Sequence, residues 1–305
     1  MSERLSVLKT YKLYVGGKFP RSESGRVYEV TTQTSAADAA GKQNWLANAP
    51  LSSRKDARDA VVAARKAFGG WSGATAYNRG QILYRIAEML EGRRDQYVAE
   101  VADAEGLSKS KAAAQVDAAI DRWVWYAGWT DKIAQVIGGG NPVAGPFFNL
   151  SSPEPTGVVA VLAPQKSSFL GLVSVVAPVI ATGNTAVVVA SEKSPLPALS
   201  LGEVLATSDL PGGVVNILSG RTAEIATPLA AHQDVNAIDL AGADETLAKE
   251  LEIAAADNLK RVLRPQPVDN ADWSAAPGTD RMTAFLETKT VWHPTGALGA
   301  SGSSY

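Results

Sequence analysis

From Gly157 onward the chain repeats one unit, a short and wholly apolar run followed by a stretch of helical periodicity. GVVAVLA (157–163) precedes a helix predicted around 168–181, and TAVVV (185–189) precedes one near 195–207. VVNIL (214–218) and VNAIDL (235–240) are each followed by another, the last being ETLAKELEIAAADNL (245–259), and KRVL (260–263) closes the series. Runs that are apolar at every position belong to strands covered on both faces, and parallel neighbours need a crossover helix between them. The alternation therefore predicts an α/β fold with a doubly wound, Rossmann-like parallel sheet, whose ligands bind beyond the carboxyl ends of the strands.

The residues before Gly157 read differently. KLYVGGKFPRSESGRVYEV (12–30) predicts two short strands around Gly-containing turns, and 33–52 reads as loop. Ser53 then stands as an N-cap for a helix with Ala60, Ala64 and Phe68 on one face. Ile82, Ile86 and Leu90 mark a second helix, and Val116, Ile120, Trp123 and Ala127 a third. A tryptophan at that spacing is core. Residues 137–156, broken by Gly and Pro, predict a hairpin outside the main core. At the other end, 264–280 reads as a Pro- and Asp-rich linker, AFLETKTVWHP (284–294) alternates like a strand, and 295–305 is a small-residue tail expected to be mobile.

Several function classes are excluded. With 29 basic and 31 acidic residues and a net charge of −2, there is no basic stripe to follow a nucleic acid. The chain has no cysteine, so no disulfide, thiolate zinc site or cysteine nucleophile, and this fits a reducing interior. Two histidines, His232 and His293, make a multi-histidine metal site unexpected, and no metal is expected. The first residues lack a signal-peptide core, and the most apolar window, Phe169 to Thr182, is too short for a bilayer. A cytoplasmic protein is the expectation. The sequence contains no G-x-G-x-x-G, no Walker loop and no H-E-x-x-H.

Three longer blocks carry a resemblance: EPTGVVAVLAPQKSSF (154–169), APVIATGNTAVVVASEKSP (177–195) and LPGGVVNILSG (210–220). In order and spacing they resemble the aldehyde dehydrogenase superfamily. They match its P-x-G-V segment, Pro-Trp-Asn loop, Gly-Asn-Thr turn, Lys-Pro-Ser-Glu strand end and G-L-P-x-G-V-x-N run. The opening GGKFPRSESGR (16–26) is similar to that family's first hairpin, and the helices at 53–130 resemble its leading helical layer. The resemblance implies a dinucleotide-binding-like domain formed by 1–136 and 157–263. It also implies a small protruding β element, formed by 137–156 and 281–294, which in that family extends across the dimer to a neighbour's catalytic-domain sheet.

The departures matter as much. Pro164-Gln165-Lys166 stands where the family has Pro-Trp-Asn, whose Asn stabilises the oxyanion of the tetrahedral intermediate. Val189-Ala190 replaces Lys-Pro, so the ribose-binding lysine is absent, while Ser191 and Glu192 persist. Ala241-Gly242-Ala243 replaces Thr-Gly-Ser at the pyrophosphate turn, losing both hydroxyls. Leu263-Arg264-Pro265-Gln266 has no carboxylate where Glu-Leu-Gly-Gly-Lys supplies the general base. The nucleophilic cysteine is missing, and 264–280 bridges directly to a segment resembling the family's C-terminal strand.

The resemblance thus implies Ser191, Glu192 and Gly242 as vestigial cofactor-binding positions and no catalytic residue in this chain. No cofactor is expected here. NAD(P) is expected in an intact partner, a full-length aldehyde dehydrogenase relative with which the chain would form a hetero-oligomer as a catalytically silent subunit. The alternatives are an NAD(P)-dependent aldehyde dehydrogenase, as the family similarity implies, and a nucleotide-sensing module.

Overall fold

The computed structural model describes residues 7–33, 44–265 and 272–295. β1 (Val27–Thr31) pairs antiparallel with β2 (Trp45–Pro50). β2 lies inside the stretch expected as loop. Its core-facing residues are Ala47 and Ala49, and alanine is too weak a strand former to reveal the alternation. A helical layer follows: α1 (Arg54–Ser72), α2 (Ala76–Glu91), α3 (Arg94–Glu105), α4 (Lys109–Ala127) and the short α5 (Ile133–Ile137). Ser53 caps α1 as expected. Its hydroxyl accepts from the Lys55 and Asp56 amides while the Asp56 carboxylate accepts from the Ser53 amide at 2.8 Å, a reciprocal capping box.

After a hairpin of β3 (Gly139–Asn141) and β4 (Phe147–Pro155) the alternating series begins. It runs β5 (Val158–Leu162), α6 (Leu170–Ala181), β6 (Thr185–Val189), α7 (Leu196–Ala206), β7 (Val215–Leu218), α8 (Thr222–Ala230), β8 (Ala237–Asp239), α9 (Glu245–Ala255) and β9 (Arg261–Leu263). The five strands form one parallel sheet in the order β7-β6-β5-β8-β9, so the connection reverses direction between β5 and β8. The doubly wound reading is correct. Every residue of β5 and β6 is buried. Period-2 geometry sends Val159, Val161 and Val188 toward α6 and α7, and Val158, Val187 and Val189 toward α1, α8 and α9. Each such side chain contributes about 1.5–3 kcal/mol relative to exposure.

Gly183-Asn184 makes the turn into β6. Gly183 has φ +92, which only glycine adopts without strain. Asn184 is fully buried: its carbonyl accepts the Gly157 amide at 2.8 Å, and its amide donates to the Thr182 hydroxyl and to the Phe285 carbonyl, both at 2.9 Å. One side chain thereby joins the start of β5, the end of α6 and a segment a hundred residues later.

That later segment corrects the linker reading. Residues 266–271, and the tail from 296, lie outside the described residues. Residues 272–280, however, pack back on the helices instead of spanning open space. Arg122 donates to the Ala275 carbonyl at 2.7 Å and Tyr126 to that of Gly278 at 3.2 Å. The short α10 (Asp280–Thr283) follows, with Met282 and Phe285 fully buried. Pro, Asp and Ala suggested a spacer because this packing uses backbone carbonyls, which leave no mark in the sequence.

β10 (Leu286–Pro294) then pairs antiparallel with β4 over its whole length, from Leu286 opposite Pro155 to Pro294 opposite Phe147. The resulting sheet has the order β10-β4-β3, with the nine-residue β10 at its edge. Its tip exposes Phe147, Phe148, Leu150 and Trp292, with Phe147 and Trp292 edge to face at 5.8 Å. Among the described residues, no helix is long and apolar enough to cross a membrane.

Candidate functional site

The reversal between β5 and β8 opens a crevice beyond their carboxyl ends, where open α/β sheets bind ligands. Its volume is about 540 Å³, and its walls come from Gln115, the 164–167 loop, Leu170, the 241–244 turn, Trp273 and Arg281. A larger hollow of about 1010 Å³ lies between α2 and α4. It is helix surface remote from the carboxyl edge of the sheet, so volume alone does not locate the site.

The loop after β5 is tied down by its own polar groups. Gln165 donates to the Ala163 carbonyl at 3.1 Å, and its side-chain oxygen accepts the Glu192 amide at 2.9 Å. Ser167 accepts the Gly171 amide at 2.9 Å and so starts α6. Ser168 donates its amide and hydroxyl to one Glu105 oxygen, both at 2.7 Å. Burial pushes the Glu105 carboxyl above the ordinary carboxylate range, and these two bonds work against that shift. Lys166, in place of an oxyanion-stabilising Asn, is exposed and has no ion pair among the described residues.

The three expected cofactor residues are all at this edge of the sheet, each engaged within the protein. Ser191 donates to the Gln165 carbonyl at 3.0 Å and accepts the Ser194 amide at 3.2 Å. Glu192 pairs with Arg221 at 2.7 Å through one oxygen, and through the other accepts the Thr222 amide at 3.0 Å, at the start of α8. Each Glu192 oxygen thus already has one partner within the protein. Val189 is fully buried beneath α1 and α8, so the position holds no cation. Gly242 does not offer its amide as a free anion-binding donor, because it donates to the Leu162 carbonyl at 2.9 Å. A Cβ there would collide with the Ala163 carbonyl, which accounts for glycine by close approach of two backbones. These residues do not fit the ribose and pyrophosphate of a dinucleotide in the way the family motifs would.

A buried ion pair beside the crevice leaves no signal in the sequence. Asp239, at the end of β8, is fully buried and pairs with Arg281 of the returning segment. Burial raises the Asp239 carboxyl; the Arg281 charge and the Ala241 amide, donating at 3.0 Å, oppose that rise. Arg281 in turn lies over the Trp273 ring, 5.3 Å from its centroid. The pair spans forty-two positions of sequence, and only the fold brings the two together. Among the described residues no cluster of three or more His, Cys, Asp or Glu could hold a metal.

Comparison with known proteins gives a consistent picture. Residues 29–270 match the model described as the aldehyde dehydrogenase family. Retinal dehydrogenase 2 of Gallus gallus is 33% identical over 263 residues, covering 84% of this chain and 48% of that enzyme. Cytosolic aldehyde dehydrogenase 1 of Elephantulus edwardii is 30% identical over 257 residues, covering 82% and 49%. Among solved structures, the NAD+ complex of aldehyde dehydrogenase from Bacillus cereus superposes with a TM-score of 0.77 at 26% identity, over 83% of this chain and 50% of that one. The chain spans about half the length of these relatives.

Proposed function

The chain belongs to the aldehyde dehydrogenase family, and from that premise we propose that it is a catalytically silent subunit that assembles with an intact aldehyde dehydrogenase to stabilise, scaffold or regulate it. The observation that carries this reading is that the chain's own returning segment supplies a wall of the crevice. Arg281, four residues before the buried Phe285, pairs with Asp239 at the carboxyl end of β8, so the segment returning to the small sheet lies directly against the crevice. Aldehyde oxidation in this family needs a thiolate to attack the carbonyl and a base to activate water. The chain contains no cysteine, and the polar groups around Gln165, Ser191 and Glu192 are bound to one another. NAD(P) would be held by the intact partner.

The small sheet supports assembly. β10 is an edge strand whose outer backbone groups face no partner strand among the described residues, and four large apolar side chains stand exposed beside it. Folded proteins normally cover such an edge, and strand addition supplies both hydrogen bonds and side-chain contacts. A full-length relative offers the acceptor sheet that this chain would need.

The test has two arms. Purified chain is assayed for aldehyde-dependent NADH formation, and the chain is co-expressed with a tagged full-length relative from the same host, with stoichiometry read by native mass spectrometry. The expected result is no turnover alone and a defined mixed oligomer together. Turnover that follows the chain through two orthogonal purifications, or a stable monomer that ignores its relative, would overturn the proposal.

A further inference from the structure

A hollow of about 280 Å³ lies where the segment 9–26 meets the β1-β2 ribbon, away from the crevice. Two arginines, Arg21 and Arg26, line it. They flank the turn 22–25, which closes with the Gly25 amide donating to the Ser22 carbonyl at 2.9 Å, so the chain reverses between them and both stand at the hollow. The stems of the turn are fixed. The Pro20 carbonyl accepts the Leu13 amide at 3.1 Å, and the Arg26 carbonyl accepts the Leu51 amide at 2.9 Å. Both arginines are exposed, and neither guanidinium has a hydrogen bond or ion pair among the described residues.

Among the described residues no carboxylate lines this hollow. Its third cation, Lys9, is paired with Glu203 at 3.1 Å and Glu100 at 3.6 Å, so two of the three lining cations stay free. The acids nearest in sequence are engaged elsewhere. Glu23, within the turn, pairs with Lys55 at 3.1 Å, and Glu29, opposite Asn48, lines the separate hollow beside Arg221. The rest of the wall is apolar and aromatic. Trp45 is 45% exposed, and Val27 and Pro50 lie beside it. Two guanidinium forks match a phosphate dianion, whereas a monocarboxylate would leave one fork unused. An exposed indole next to them suits a flat ring. The volume lies just below that of ordinary drug-sized sites, so the molecule is small.

We propose that this hollow binds a small phosphomonoester with a flat aromatic body, its phosphate between Arg21 and Arg26 and its ring against Trp45. The ligand would fasten the turn 22–25 to the β1-β2 ribbon, with the arginines on one side and Trp45 on the other. The site is independent of the silent-subunit reading, since it uses neither Ser191, Glu192 and Gly242 nor the edge of β10.

The test uses the full chain and phenyl phosphate as the probe, with inorganic phosphate, benzoate and AMP at matched ionic strength. Titration calorimetry is expected to show saturable, one-to-one binding of phenyl phosphate, tighter than that of inorganic phosphate or benzoate. AMP separates the two sources of this chemistry: binding at least as tight as phenyl phosphate identifies a nucleotide, and weaker binding a simple aryl monoester. Nuclear Overhauser contacts are expected between the phenyl ring and the Trp45 indole. Arg21→Gln and Arg26→Gln, both at exposed positions, should each weaken binding by about tenfold, the loss of one charge-assisted contact. Trp45→Ala should bring phenyl phosphate down to the affinity of inorganic phosphate. No saturable binding of phenyl phosphate, equal affinity for inorganic phosphate or benzoate, ring contacts to other residues in place of Trp45, or an unchanged affinity in both arginine variants would each overturn the proposal.

Discussion

Removing Arg281 tests the central contact of the crevice. In Arg281→Met the stem of the side chain is kept, but Asp239 is left fully buried with a single donor, the Ala241 amide at 3.0 Å. Breaking a buried pair by deleting one partner typically costs about 3–5 kcal/mol, mostly the desolvation of the charge left behind. Detachment of residues 272–285 would let water reach Asp239, so the loss is limited to the free energy that holds this segment in place. The pH dependence has a definite sign. The folded Asp239 carboxyl titrates above its unfolded value, so the folded state holds the proton more tightly and stability falls as pH rises through that window. Arg281 opposes the rise, and without it the window extends upward. The deficit of the variant should therefore be largest at neutral pH and shrink as acidification protonates Asp239. The assay is urea unfolding across pH, with hydrogen exchange read at 272–286. The double variant Asp239→Asn/Arg281→Met should be more stable at neutral pH than Arg281→Met alone. A single variant within about 0.5 kcal/mol of wild type at every pH would refute the reasoning.

Three further outcomes follow from particular residues. Asn184→Ala leaves the buried Gly157 amide without its partner, while the Phe285 carbonyl keeps the Thr156 amide, and should cost about 1–3 kcal/mol, measured by chemical unfolding. Gly242→Ala should prevent stable folding or yield only insoluble chain, because its Cβ meets the Ala163 carbonyl; a soluble variant with an unchanged melting temperature would contradict this. Val189→Lys should not confer NAD binding in a thermal-shift assay and should lower the melting temperature, since it places an ammonium group in the apolar layer beneath α1 and α8.

The order of strands and helices after Gly157, the cap at Ser53, the Gly183-Asn184 turn and the pairing-competent strand near the C-terminus were all readable without coordinates. Each is a local property, set by side-chain periodicity or by a backbone conformation that few residues tolerate. β2 was not readable, because alanines carry too little of that periodicity. The state of the expected cofactor residues was also out of reach. The sequence retains Ser191, Glu192 and Gly242, but only the folded chain turns them toward Gln165, Arg221 and the Leu162 carbonyl. Likewise a Pro- and Asp-rich stretch becomes a packed wall of the crevice because Arg122, Tyr126 and Asp239, on elements far away in sequence, meet its carbonyls and Arg281. Local patterns determine the elements. Hydrogen bonds and ion pairs between distant segments determine what the site at their junction can still bind, because they depend on three-dimensional proximity that no spacing along one chain encodes.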